Sequence, residues 1–191
     1  MPAIFRGDDN AEPGDEKESR PGSRRVPKNI PYLVDNLWAW ARPDAYADRR
    51  SSAYGYQNRK QAEEHGEVYR VRFQGKHIIC QLQGCTDAKH HPDIPRLKKK
   101  VRKLLGGYDW SNQPIGEKAP AGRLYIPALS VDEVQSALEK AGLSRSEHAS
   151  LRDAVKFWED VEIVTGDEFP NTAGEIFFEY PDGYVLEPVG A

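Results

Sequence analysis

Apolar residues in this chain fall into short groups separated by long polar stretches, and their spacing predicts an alternation of strands and helices. The first group, Ala3-Ile4-Phe5, predicts a short strand. The segment from Asp8 to about Lys28 is rich in Asp, Glu, Arg, Pro and Gly and cannot bury enough to order itself, so a mobile loop is expected there. Over 30–41, Leu33, Val34, Leu37, Trp38 and Ala41 recur at helical spacing, with Pro31 tolerated in the first turn. Residues 51–56 read as extended, and 58–65 as a short polar helix closed by Gly66. Val68, Tyr69, Val71 and Phe73, a turn at Gly75, and the apolar run within 77–82 predict a β-hairpin.

A loop over 84–92 leads into a helix over 93–105, whose apolar face carries Ile94, Leu97, Val101, Leu104 and Leu105 and whose other face carries lysines. Residues 123–127 predict a strand. Two Ser-x-x-Glu capping boxes, Ser130 with Glu133 and Ser144 with Glu147, each announce a helix. The chain finishes with strand-like segments at 161–164, 175–180 and 184–186, the last two separated by a Pro181-Asp182-Gly183 turn. The order of elements predicts a mixed α/β, or α+β, fold without internal repeats, forming one domain over 1–191.

Composition narrows the function classes. At 191 residues the chain can bury a real core, and its 38% hydrophobic content is diluted mainly by the polar N-terminal stretch. A formal charge of −3 argues against a general binder of nucleic acid or anionic membrane. Two cysteines, Cys80 and Cys85, are too few for a disulfide scaffold, which fits a reducing compartment. No signal-like start and no apolar run of about 20 residues is present, so no membrane contact is expected. The expectation is a protein cytoplasmic where made; effectors delivered to a target cell without a signal peptide share these features.

Three segments carry the candidate chemistry: Ile4-Phe5-Arg6-Gly7-Asp8, then Arg50-Ser51-Ser52-Ala53-Tyr54-Gly55-Tyr56, and Gly174-Glu175-Ile176-Phe177-Phe178. An arginine grips phosphate oxygens in pairs, an aromatic ring stacks on a planar leaving group, and a carboxylate stabilises an oxocarbenium-like state with a hydroxyl to orient it. In order and spacing the three segments resemble the motifs of the ADP-ribosyltransferase superfamily, in particular its bacterial toxin-like members. The resemblance implies a split, mainly antiparallel sheet flanked by helices, with NAD bound in its cleft. It implies that Arg6 and Gly7, with Tyr54 and Tyr56, bind NAD, and that Glu175 with Ser51 or Ser52 is catalytic. ADP-ribose would pass to an unidentified macromolecular acceptor, or to water in the glycohydrolase variant. A toxin or effector role, with an immunity or activating protein as partner, follows from the same resemblance. Arginine-modifying members carry a second acid two positions before the catalytic one; here that position is Ala173, so the resemblance does not extend to arginine as acceptor. Glu179 and Glu168 are the carboxylates that could stand in for Glu175.

Each of these residues also has a plainer reading. Arg6 can be a strand-end charge, Ser51 and Ser52 can cap a strand, Glu175 can be an edge-strand charge, and the two tyrosines can simply pack. Cys80, Cys85, His90 and His91 lie close in sequence, but not at a familiar zinc spacing, and no metal is expected. Lys98, Lys99 and Lys100, with Arg96, Arg102 and Lys103, form a basic helix face of the kind that is usually only solvated. That face, together with Trp38, Trp40 and Trp110 as exposed aromatics, defines the competing function: a non-catalytic module holding a protein or nucleic acid.

Overall fold

The structure, a computed structural model, describes residues 1–19, 22, 24–105, 116–171 and 173–190. It is α+β, with two antiparallel four-stranded sheets. The chain groups into two compact units, each assembled from separate stretches: a sheet unit of Met1–Ser23, Asp44–Ala88 and Asp160–Ala191, and a helical unit of Arg24–Pro43 and Lys89–Glu159.

In the sheet unit, β1 (Phe5–Gly7), β4 (Val68–Phe73), β8 (Tyr184–Pro188) and β2 (Glu16–Lys17) form one sheet in the order β1-β4-β8-β2. The other has the order β3-β7-β5-β6, from β3 (Ala53–Gly55), β7 (Ile176–Glu179), β5 (Ile78–Leu82) and β6 (Val161–Ile163). The expected hairpin is therefore not formed: β4 and β5 lie in different sheets. β4 pairs with β8, placing Phe73 opposite Tyr184, and β5 pairs with β7, placing Ile78 opposite Glu179. The register is the same on both sides of a break at 74–77 and 180–183. The two breaks pack on each other, with Gln74 N donating to Gly183 O at 3.1 Å and Lys76 N to Asp182 Oδ2 at 2.6 Å. A Cβ on Gly75 would sit 2.4 Å from that same carboxylate, so the site needs glycine. One antiparallel ribbon thus changes sheet midway, and local turn chemistry could not reveal this.

Phe5 joins the sheets. Its N–H and C=O exchange hydrogen bonds of 2.7 and 2.8 Å with Tyr56, while its neighbour Ile4 accepts from Val71 N in β4. The alternation follows from antiparallel pairing, in which successive residues point their backbone groups to opposite sides. Beneath, Ile4, Tyr69, Val71, Ile79, Ile176, Phe178, Tyr184 and Leu186 make a continuous apolar core. The polar N-terminal stretch is tied to it in two places: Glu16 and Lys17 pair with Val185 and Tyr184, and buried Ala11 accepts the Tyr69 hydroxyl at 2.7 Å. α2 (Arg59–Ala62), capped by Asn58 and followed by a 3-10 turn, forms as expected.

The helical unit contains α1 (Tyr32–Ala41), α3 (Asp93–Leu105), α4 (Val131–Lys140) and α5 (Arg145–Asp153). Both capping boxes form, Ser130 with Glu133 and Ser144 with Glu147. Residues 123–127 are not a strand: Gly116–Tyr125 is 3-10 helical. Buried Asn36 explains the difference, because its amide donates to Leu124 O and Ile126 O, both at 2.8 Å, and accepts Leu129 N at 3.0 Å. Those backbone groups are consumed by a side chain and cannot join a ladder.

Trp38 and Trp40 are 1% and 3% exposed, so they are core residues and not a docking surface; Trp110 lies outside the described residues. Trp38 stacks on Phe157 at 4.1 Å and donates to Asp93 Oδ2 at 3.0 Å. The same oxygen accepts Lys156 N at 3.0 Å and Phe157 N at 2.8 Å. Asp93, itself 0% exposed, thus satisfies three N–H groups from α1 and the segment after α5. Leaving those donors unpaired costs about 1–3 kcal/mol each before relaxation. Asp93→Ala should therefore destabilise the helical unit by about 3 kcal/mol or more in urea unfolding followed by Trp fluorescence. Asp93→Asn, which keeps one acceptor oxygen, should cost clearly less.

Candidate functional site

Two of the three sequence segments meet in the sheet unit around a cleft of about 210 Å3 lined by Tyr54, Gly55, Tyr56, Gln61, Thr86, Asp87, Gly174 and Glu175, and the first, Ile4 to Asp8, bonds to the second without lining the cleft. β3 and the residue after it bring Tyr54 and Tyr56, and the position before β7 is Glu175. Strand pairing fixes their approach, since Gly55 lies opposite Ile176. Glycine is required at both walls. A Cβ on Gly174 would stand 2.1 Å from Leu82 O, and one on Gly55 would stand 2.5 Å from Ile4 Cγ2.

Glu175 is held from all sides. Its carbonyl accepts Leu82 N at 2.9 Å, continuing the β5–β7 pairing past the strand end. The loop before it is clamped by buried Gln81, whose amide donates to Asn171 O at 3.0 Å and accepts Asn171 N at 3.1 Å; Gln57 adds a bond of 2.9 Å to the same carbonyl. The carboxylate takes Arg49 Nη2 at 2.8 Å on Oε1 and Ala88 N at 3.2 Å on Oε2. Its side chain is 17% exposed and that of Arg49 9%, so this ion pair is sheltered. A sheltered, hydrogen-bonded pair fixes geometry more than it adds stability, because desolvation offsets most of the attraction.

Arg49 itself is positioned by aromatic faces. Its guanidinium lies 5.8 Å from the Tyr54 ring centre and 5.7 Å from that of Phe177, and its carbonyl accepts the Tyr54 hydroxyl at 2.9 Å. The sequence alone does not single out Arg49, whose one local signal is its place beside Arg50, just before the second motif. Asp87, Thr86 and Gln61 were likewise missed, because nothing in their local pattern links them to β3 or β7.

Arg6 Nη1 donates to Tyr54 O at 3.2 Å, which ties the first motif to the second. Its Nε makes no hydrogen bond and stands 3.9 Å from Asp8 Oδ2. Gly7 has a packing explanation, since a Cβ there would meet Ala62 O of α2 at 2.1 Å. Tyr56 stacks on His65, ring centres 5.2 Å apart, with its hydroxyl 2.6 Å from Nε2. Burial, reinforced by the negative charge of Glu175, Asp87 and Glu64 and opposed by Arg6, raises the Tyr56 pKa. This phenol stays protonated at neutral pH.

Neither serine hydroxyl bonds Glu175. Ser51 Oγ is 3.3 Å from both Asp48 O and Glu179 Oε1, and Asp48 N donates to the same Glu179 oxygen at 3.0 Å. Ser52 is 1% exposed and its Oγ has no hydrogen-bond partner among the described residues. Glu179 thus braces the turn before β3 and is absent from the cleft lining, and Glu168 is exposed in the loop after β6. Cys80, Cys85, His90 and His91 are not gathered; no group of three metal-ligating side chains occurs among the described residues.

Comparison of the chain with family models, with curated proteins and with solved structures finds no match. The arrangement of the cleft therefore has to be interpreted from its own chemistry.

Cys85 reports on that chemistry. Burial pushes its thiol up, the Asp87 backbone N–H opposes the shift, and the negative charges of Glu175, Asp160 and Asp87 push it further. Removing the Glu175 charge lowers the thiol pKa and raises the thiolate fraction, which is the nucleophilic form. At pH 8 iodoacetamide should therefore label Cys85 slowly in the wild type and faster in Glu175→Gln, read by mass spectrometry. Equal rates would show that the Glu175 charge does not reach the Cys85 thiol. Buried Cys80, which accepts Ala47 N at 3.4 Å, should stay unlabelled in both.

Proposed function

We propose that this chain cleaves NAD at the nicotinamide–ribose bond and passes ADP-ribose to a macromolecular acceptor, or to water when no acceptor is bound. The observation that carries the reading is the convergence of Tyr54, Tyr56 and Glu175 on one cleft, with Arg6 bonded to the same strand. The cleft, at about 210 Å3, is below the roughly 300 Å3 typical of a pocket that swallows a drug-sized ligand, so it suits the nicotinamide riboside end of a dinucleotide. The rest of NAD would lie outside it, with the pyrophosphate on Arg6.

In this reaction the bond between ribose C1′ and the nicotinamide nitrogen breaks, and nicotinamide leaves with the electron pair. The acceptor's nucleophile then bonds to C1′ and loses its proton. Positive charge develops on the ribose, and an ionised carboxylate alongside stabilises it, as in glycoside hydrolysis. Arg49 and Ala88 N occupy one site on each Glu175 oxygen. Each oxygen retains a further lone pair, enough to accept a ribose hydroxyl without releasing either partner. Tyr54 or Tyr56 supplies the flat face against which nicotinamide departs. A serine orienting Glu175 is not part of this proposal; Arg49 takes that role. A bacterial toxin or effector role rests on the motif resemblance alone.

The test is incubation of purified protein with NAD, with free nicotinamide followed by chromatography. Wild type should release nicotinamide, Glu175→Gln should slow release by about a hundredfold or more, and Arg6→Ala should raise KM. An absence of both release and calorimetric NAD binding in the folded wild type would reject the reading.

A further inference from the structure

The chain's −3 charge conceals a large segregation. The stretches that make the helical unit hold 17 Lys and Arg against 10 Asp and Glu, a formal +7. Those that make the sheet unit hold 10 against 20, a formal −10, and the two together give the whole-chain value. The acidic excess behind the whole-chain charge therefore belongs to the other unit. What a ligand on α3 feels is decided locally, because exposed charges more than about 8 Å away are largely screened at physiological ionic strength.

The positive charge of the helical unit has a focus. α3 buries Leu97, Val101 and Leu105 in the core and turns Lys98, Lys99, Arg102 and Lys103 outward, all exposed. Lys98, Lys99 and Lys103 make no ion pair or hydrogen bond among the described residues. Lys100, by contrast, is spent on Ser150 Oγ at 2.7 Å, and Arg96 on Asp93. From Lys98 to Lys103 the helix advances about 7.5 Å, roughly the rise of two base pairs. An anionic membrane is a poor fit, since a helix that binds lipid stably also inserts an apolar face, and that of α3 is already buried.

We propose that the helical unit binds the phosphate backbone of a nucleic acid, without sequence preference, through Lys98, Lys99, Arg102 and Lys103 on the outer face of α3. The proposal stands on the charge partition and the unpaired lysines, and it is independent of any NAD chemistry. Lysines placed as point charges suit a polyanion whose phosphates repeat regularly, and they carry no means of reading base edges.

The test uses the full-length protein with a short fluorescent DNA duplex and a single-stranded RNA of mixed sequence, titrated by anisotropy between about 50 and 200 mM salt. The expected result is binding that weakens linearly on a log–log salt plot. The triple variant Lys98→Gln/Lys99→Gln/Lys103→Gln should bind about tenfold or more weakly, and its duplex slope should be shallower by up to about 2.7. A control triple, Lys60→Gln/Arg70→Gln/Lys76→Gln, removes the same charge from exposed positions of the sheet unit and should change affinity less than about twofold. Circular dichroism confirms that both variants fold. A stronger grip on duplex or on single strand says which nucleic acid is preferred, and either supports the proposal. Absence of binding to both at low salt would overturn it, as would equal loss in the two triples. Equal affinity for polyglutamate would also overturn it, in favour of an acidic protein partner.

Discussion

The sheet unit depends on one constraint: a two-stranded ribbon, β4–β5 against β7–β8, that keeps its register while its two halves enter different sheets. At the point where the halves part, nothing in the ribbon itself holds the two sheets together at their other edge. Phe5 does, by giving both of its backbone groups to Tyr56 while its neighbours pair with β4. The candidate cleft follows from this junction. Tyr56 takes part in the bridge and lines the cleft, and the next residue after Phe5 is Arg6, whose side chain reaches back to Tyr54 O.

Glu175 shows how a fold can hold a carboxylate ready without leaving it exposed. Glutamates placed at the end of a strand are normally free to fold back into water. Here the backbone continues its pairing to Leu82, the glycine before it presses on the same carbonyl segment, and Gln81 fastens the preceding loop. Arg49 then supplies the opposite charge from a direction set by two aromatic rings. The rigidity lies in the scaffold and not in the ion pair, since the backbone and the Gln81 clamp hold Glu175 independently of Arg49.

How far the sequence could be read depended on whether the cause was local. Helices α1 through α5 were legible because periodicity and caps act within a few residues: Ser130 with Glu133 and Ser144 with Glu147 are complete instructions. The short strand at Phe5 and the final strands were legible for the same reason. The hairpin at 68–82 was misjudged because two good strands around a glycine satisfy the local rule, while the better partners lie about a hundred residues downstream. The strand expected at 123–127 failed because Asn36, far upstream, took its carbonyls. At the candidate site, Arg6, the tyrosines and Glu175 could be picked out as motif residues, whereas Arg49 and Asp87 could not, since only the folded chain brings them near. Trp38 and Trp40 were misassigned as surface because distant residues set their burial, Asp93 and Phe157 for Trp38 and Gln135 and Arg152 for Trp40, which no nearby pattern announces.

The way the two units interrupt each other in sequence has a bearing on how the chain is made. All stretches of the helical unit have been synthesised by Glu159, whereas each sheet still lacks one of its two inner strands, β7 or β8, both of which come from residues 176–188. During vectorial synthesis the helices can therefore consolidate first, while the half-built sheets wait with unpaired strand edges until residues 176–188 emerge. The cleft is thus completed after the helices, because its carboxylate, Glu175, follows every stretch of the helical unit in the chain.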